Sequence, residues 1–215
     1  MMFKDRVDAA EKLAKKLEWI KKENPVILAI PRGGVVTGDV IAKILGLSLD
    51  IIVSRKIGAP YNPELAIGAV VHDGSFFPNS DLIAALEIPK KYLDEQITEQ
   101  LQEIECRLVK FRGRKDYDLK DKTVVLVDDG IATGATVFVA LEWIKKQKPK
   151  RVIVAIPVGP RDTIERLTKM AEVVVLDDPV IFGAVGEFYQ SFDQVEDYQV
   201  AEIMSSYGFR PKSLK

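Results

Sequence analysis

A single cysteine, Cys106, and a single histidine, His72, leave this chain without the side chains that several kinds of chemistry require. One thiol can neither close an intrachain disulfide nor build a cysteine zinc site, and no His, Cys or carboxylate cluster has the spacing of a protein-only metal cage. An excess of charge of one sign is missing too, since 31 basic and 32 acidic residues give a net charge of -1. With no basic arm or stripe, nucleic acid is not an expected partner, although a local cluster can still hold a small anion. Apolar runs all fall short of the ~20 residues that cross a bilayer, so no membrane partner is expected. No signal peptide precedes the amphipathic segment 3–22, and the expected location is cytoplasmic.

What is present is alternation. Val7, Ala10, Leu13, Ala14, Leu17 and Ile20 recur at helical spacing until Asn24-Pro25, and a buried strand is predicted over residues 26–30. Helices follow over 34–45, 134–146 and 163–170, and strands over 49–53, 124–127, 151–156 and 173–176. Short β-branched strands alternating with helices predict an α/β fold: a doubly wound, mostly parallel sheet covered on both faces. The length fits one domain over 1–215, with a core at about 25–178 and a small C-terminal cap or hood at about 179–209 that the N-terminal helix joins. Beyond 209 the basic tail 210–215 is expected to fray. Residues 66–74 predict a further strand and turn. A long helix over 89–112 carries the stripe Leu93, Ile97, Leu101, Ile104, Leu108 and Phe111, either core contacts or the face of a homodimer. The segments LEWIKKENPVILAIP (17–31) and LEWIKKQKPKRVIVAIP (141–157) are alike, which places the ends of both strands on one sheet edge, where open α/β proteins bind ligands.

The chemistry concentrates in residues 124–136, VVLVDDGIATGAT. An apolar strand delivers Asp128 and Asp129 into a small-residue loop that opens a helix. Backbone amides and hydroxyls at a helix N-terminus favour an anion, whereas ionised carboxylates repel phosphate and accept hydrogen bonds from hydroxyls or from water on a cation. A sugar phosphate uses both. Two other segments carry positive charge beside loop backbone: Pro31-Arg32-Gly33-Gly34 after the first strand, and Arg55-Lys56 before the two-proline segment IGAPYNPE (57–64).

The 13-residue run resembles the signature for 5-phosphoribosyl 1-diphosphate (PRPP) in type I phosphoribosyltransferases, with two acids and the A-T-G-x-T loop in register. That resemblance implies that Asp128 and Asp129 hold the ribose hydroxyls, partly through a magnesium shell, so Mg²⁺ is the expected cofactor. It implies that Gly130, Ile131, Ala132, Thr133, Gly134, Ala135 and Thr136 wrap the 5-phosphate. Arg32, Gly33 and Gly34 fall where the family has its pyrophosphate loop. Arg55 and Lys56 match a basic residue that meets pyrophosphate, and 57–64 matches a mobile loop that closes over the reaction.

The implied activity is transfer of the phosphoribosyl group to a nitrogenous base. Ala132 stands where hypoxanthine- and guanine-using members have an aspartate, and adenine-using members also have alanine, which slightly favours a purine acceptor. Val180, Ile181 and Phe182 offer the base an apolar or stacking face. Glu64 and Glu187 are candidate acids, and His72 reads as an exposed or satisfied imidazole. The alternative is a regulatory or binding protein that senses PRPP or a nucleotide without turnover. PRPP synthesis, on a related fold, would need a second similar domain.

Overall fold

The computed structural model describes residues 1–212, without the side chain of Glu64; residues 213–215 of the basic tail lie outside the described residues. In chain order the elements are α1 (Arg6–Lys16), β1 (Val26–Ala29), α2 (Gly33–Leu45), β2 (Ser48–Ile51), β3 (Ser54–Ala59), β4 (Asn62–Val71), β5 (Phe76–Pro78), α3 (Ser80–Ala85), α4 (Lys90–Phe111), β6 (Thr123–Val127), α5 (Ala135–Lys146), β7 (Arg151–Val158), α6 (Arg161–Thr168), β8 (Glu172–Asp177) and α7 (Asp197–Ser206). Short 3-10 segments lie at Glu18–Glu23 and Val185–Phe188.

Five strands form a parallel sheet in the order β2-β1-β6-β7-β8. Side chains alternate across each strand, so Ile27, Ala29, Val125, Val127, Ile153 and Ala155 face one layer, with Ala10, Leu13 of α1 and Ile41 of α2. Leu28, Val124, Leu126, Val154 and Ile156 face the other, with Phe138, Ile144 of α5 and Leu167 of α6. This is the doubly wound α/β arrangement expected. The two similar segments become neighbours of β6: β1 and β7 flank it in parallel, and both end on the same edge.

Chain order reverses between β1 and β6, because β1 is followed outward by β2 while β6 starts the run in the opposite direction. Loops leaving the two strands diverge there and open a crevice at their carboxyl ends. Residues 30–34 and 128–136 are the loops in question.

Some boundaries differ from the sequence expectation for local reasons. The helix predicted over 3–22 stops at Lys16 and tightens into the 3-10 segment, which keeps Leu17 and Ile20, three apart, on one buried face. Phe3 leaves the helix altogether and pairs with Tyr189. The loop expected over 57–64 is largely a hairpin in a second, antiparallel sheet, β3-β4-β5. Its turn is reduced to Pro60 and Tyr61. Register shifts around Gly58 accommodate the prolines, and Pro63 backbone lies 2.6 Å from where a Gly58 Cβ would stand. The segment 179–209 divides: residues up to Asp193 stay by the crevice, while Val195 and, from α7, Val200 and Met204 are buried in the main core. Arg210–Lys212 is docked rather than frayed, since the Lys212 amide donates to Val109 O at 3.2 Å.

The stripe on α4 is used within the chain. Ile104, Leu108 and Phe111 are buried, and Leu93, Ile97 and Leu101 pack partly against the same core. At the end of α4 the fully buried Arg112 makes a two-pronged pair with Asp50 of β2, Nε to Oδ1 and Nη2 to Oδ2 both at 2.7 Å. Its guanidinium also lies 3.9 Å over the Tyr117 ring. Removing one partner strands a charge in the interior, so Arg112→Met is expected to lower the unfolding free energy by about 3–5 kcal/mol in urea titrations. A loss under about 1 kcal/mol would show the pair to be dispensable.

Candidate functional site

Two glycines bring the crevice walls together. A Cβ on Gly33 would stand 1.8 Å from Asp129 Oδ2, and one on Gly34 would stand 2.8 Å from Asp128 Oδ1 and 2.9 Å from Asp128 Cα. At Gly34 the clash is with backbone and excludes a side chain, while at Gly33 a Cβ would displace the Asp129 and Arg6 side chains, so the loop after β1 nests directly on the acid pair that ends β6. Helix α2 begins at this contact with no side-chain cap, which leaves its first amides and positive dipole end toward the crevice. Arg32 precedes it, one-third exposed, with Nη1 3.6 Å from Asp197 Oδ1.

The acids are half-buried and differently engaged. Asp128 Oδ1 accepts from the Asp129 amide at 2.8 Å. Burial, and then the neighbouring Asp129 carboxylate, hold the Asp128 pKa well above the ordinary carboxylate value. Asp129 Oδ2 accepts from Arg6 Nε at 2.7 Å, and the Asp129 carbonyl accepts from the Tyr189 hydroxyl. Arg6 Nη1 continues to Asp193 O at 2.7 Å, while its guanidinium lies 3.9 Å over the Phe192 ring. One of the two predicted diol-binding acids is therefore tied to the N-terminal helix and to the hood.

The loop after the acids is built in two halves. Gly130 and Ile131 anchor it: Gly130 has φ 155°, and Val185 Cγ1 fills the space its missing Cβ leaves, 2.4 Å from where that Cβ would stand. Ile131 is buried, and its amide donates to Val158 O at 3.0 Å. The Ile131 amide is therefore already engaged. Ala132 and Thr133 are exposed, Gly134 turns at φ 75°, and α5 begins at Ala135 and Thr136 with no side-chain cap. Residues 132–136 thus present an uncapped helix N-terminus, suited to a phosphate.

The basic pair separates. Successive side chains of a strand point to opposite faces, and Arg55 goes to α4, where Nε donates to Gln100 Oε1 at 2.9 Å. Lys56 shares the other face with Ser54, whose hydroxyl lies 3.4 Å from Thr136 O. By strand alternation Lys56 lies on the face of β3 that is turned toward the start of α5.

Beyond the loop lies a cavity of about 960 Å³, lined by Ala132, Thr133 and Ala135, by Ala66 and Phe77 of the β-arm, and by Val180 and Phe182 of the hood. Phe77 and Phe138 stack in its wall at 5.3 Å, and Phe182 stacks on Phe188 at 5.1 Å. Of the predicted acceptor residues, Val180 and Phe182 reach the cavity, while Ile181 is 90% exposed. Glu187 turns back over Gly183 within the hood. The Glu64 side chain lies outside the described residues. His72 is half-buried rather than exposed, between Tyr117 at 5.0 Å and Trp143 at 4.8 Å, and burial lowers its pKa.

Sequence reasoning missed Arg6 and the polar role of Tyr189, because 123 and 60 residues separate them from Asp129 and no local pattern marks the pairing. Among the described residues no group of three or more His, Cys, Asp or Glu is placed to hold a metal ion. The acid pair supplies two carboxylates at most, so it fits a cation only where water or substrate oxygens complete the shell.

The family description "Phosphoribosyl transferase domain" matches residues 3–191. Two Mycobacterium tuberculosis proteins, "Putative phosphoribosyl transferase MT0597" of strain CDC 1551 and "Putative phosphoribosyl transferase Rv0571c" of strain H37Rv, are 38% identical over 205 residues, 94% of this chain and 46% of theirs. The chain spans about half the length of these curated relatives. The crystal structure of TT1426 from Thermus thermophilus is 40% identical and superposes with a TM-score of 0.81, covering 96% of this chain and 99% of that one. No helix among the described residues is long and apolar enough to cross a membrane. The chain belongs to the phosphoribosyl transferase family.

Proposed function

We propose that this chain is a Mg²⁺-dependent transferase of nucleotide salvage, moving the 5-phosphoribosyl group of PRPP to a ring nitrogen of a base and releasing pyrophosphate. The observation that carries the reading is the contact between Gly33-Gly34 and Asp128-Asp129. It sets an acid pair for hydroxyls between two uncapped helix N-termini, α2 for one anionic group and α5 for another. A ribose bearing phosphate at one end and diphosphate at the other has that sequence of groups.

In this reading the 5-phosphate rests on the amides and hydroxyls of 132–136, and the ribose diol is held by Asp128 and Asp129. The C1–O bond breaks as the acceptor nitrogen approaches, and the departing diphosphate gathers negative charge against the α2 N-terminus, Arg32 and Lys56. A magnesium ion bound with the donor adds charge stabilisation there. Arg55, taken up by Gln100, serves to brace β3 on α4 and acts through the strand. The acceptor lies in the cavity beside Ala132, between Phe182 and the Phe77–Phe138 wall. Planar aromatic walls suit a nucleobase, and the Ala132 methyl group favours a purine-type acceptor that needs no carboxylate at that point.

A second reading, donor binding without turnover, draws on the Arg6–Asp129 pair, which already occupies one acid. Incubation with Mg²⁺-PRPP and a panel of purine and pyrimidine bases, following pyrophosphate, separates the two. Release with at least one purine is expected; donor binding with no release for any base would favour the second reading.

Three substitutions test the assigned roles. Asp129→Asn is expected to weaken Mg²⁺-PRPP binding at least tenfold, about 1.4 kcal/mol, without unfolding the protein, and unchanged calorimetric affinity would count against the carboxylate. Gly34→Ala, which meets Asp128 backbone rather than a movable side-chain tip, is expected to lower both thermal stability and donor affinity. Wild-type values in both measurements would mean the crevice is looser than its geometry indicates. Lys56→Ala should reduce turnover more than donor affinity; equal losses would place the side chain in uniform binding.

A further inference from the structure

The Arg6 guanidinium is the one basic group in hydrogen-bonding contact with the acid pair among the contacts described above, and it reaches there from the first turn of α1. Its side chain is 12% exposed. Around it stand Asp129 Oδ2, the Asp193 carbonyl, the face of Phe192 and the empty Cβ position of Gly33, 2.9 Å from Nε. Arginine keeps its charge under all ordinary conditions, and a cation so little exposed acts on a neighbouring carboxylate with little screening by water. A guanidinium serving only to dock α1 on the hood would need Asp193 and Phe192; the hydrogen bond to the Asp129 carboxylate adds a contact inside the proposed diol site.

We infer that Arg6 is a positioning residue for phosphoribosyl transfer: it is the resident counter-cation of the acid pair, fixing Asp129 and admitting a divalent cation only together with the donor. The inference rests on the proposed transferase function. In the absence of donor the pair already has a positive partner, and a free Mg²⁺ meets both the Arg6 charge and too few oxygens. When the donor arrives, its hydroxyl and diphosphate oxygens supply the missing ligands and negative charge. The same guanidinium, bonded to Asp193 O and stacked on Phe192, ties residues 192–193 of the hood to the proposed diol site.

The test is a calorimetric titration of the full chain with Mg²⁺ alone and, separately, with Mg²⁺-PRPP. It compares the wild type, Arg6→Met, Arg6→Gln and Arg6→Lys, with thermal melting to confirm folding. Wild type and Arg6→Lys are expected to bind Mg²⁺ without donor too weakly to detect, while the uncharged variants, with water completing the shell on the freed carboxylates, bind it at least tenfold above the detection limit. Arg6→Gln keeps a donor for Asp193 and reads the charge alone if Arg6→Met does not fold. Tight binding of free Mg²⁺ by the wild type, or the same response in all four proteins, would overturn the role of Arg6. Failure of the wild type to bind Mg²⁺-PRPP would instead overturn the transferase reading, so the two failures are distinguishable.

Discussion

The site depends on two missing methyl groups. At Gly33 and Gly34 the chain leaving β1 passes so close to the end of β6 that the carboxyl groups of Asp129 and Asp128 fill the space a Cβ would need. That approach is possible because β1 and β6 are hydrogen-bonded neighbours at the point where strand order reverses, so their loops start side by side and then turn to opposite faces of the sheet. Both loops end in helices that begin without side-chain caps. The outcome is a short line of alternating character: amides, carboxylates, amides. Neither loop would have that character alone.

Around this line the chain is closed from distant parts of the sequence. Phe3 pairs with Tyr189 as in a short sheet, with amide contacts running both ways, from Phe3 to Phe188 O at 2.8 Å and from Gln190 to Phe3 O at 2.8 Å. The hood is thus made of both chain ends, and Arg6 and Tyr189 bring its polar groups onto Asp129. On the opposite side the antiparallel arm β3-β4-β5 places Lys56 on the face turned to α5 and Phe77 in the cavity wall. Packing of α7 on α2 and α4 fixes the outer wall, with Asp197 taking Lys110 at 2.6 Å and approaching Arg32 at 3.6 Å. The proposed chemistry is held between elements that are themselves well buried.

Much of the frame was legible. The period-3.6 and short β-branched runs located the five parallel strands and the main helices to within a few residues, because each is buried by an apolar face that the pattern records. The acid pair and the loop that opens α5 were legible for a different reason: their residues are contiguous, so spacing alone carries their geometry. Residues 57–64 look like a loop in sequence because prolines and glycines punctuate both loops and bulged hairpins, and only pairing with β4 decides between them. Arg55 and Lys56 form one basic pair in sequence, yet as neighbours on a strand they face opposite ways. Ile131 and Gly130 look like loop residues in sequence and act as anchors in the fold, since Val158 and Val185 come from elsewhere.

The sequence by itself determined the layered α/β frame, the edge on which the loops gather and the chemical type of the groups at 128–136. These are consequences of periodicity and of short-range backbone constraint, both of which are written in consecutive residues. Tertiary structure alone decided that Arg6 neutralises Asp129, that Arg55 leaves the site for Gln100, and that the cavity is walled by Phe77 and Phe138 as well as by the hood. Those contacts join residues many tens of positions apart, and their energies depend on burial and distance, which exist only once the chain has folded.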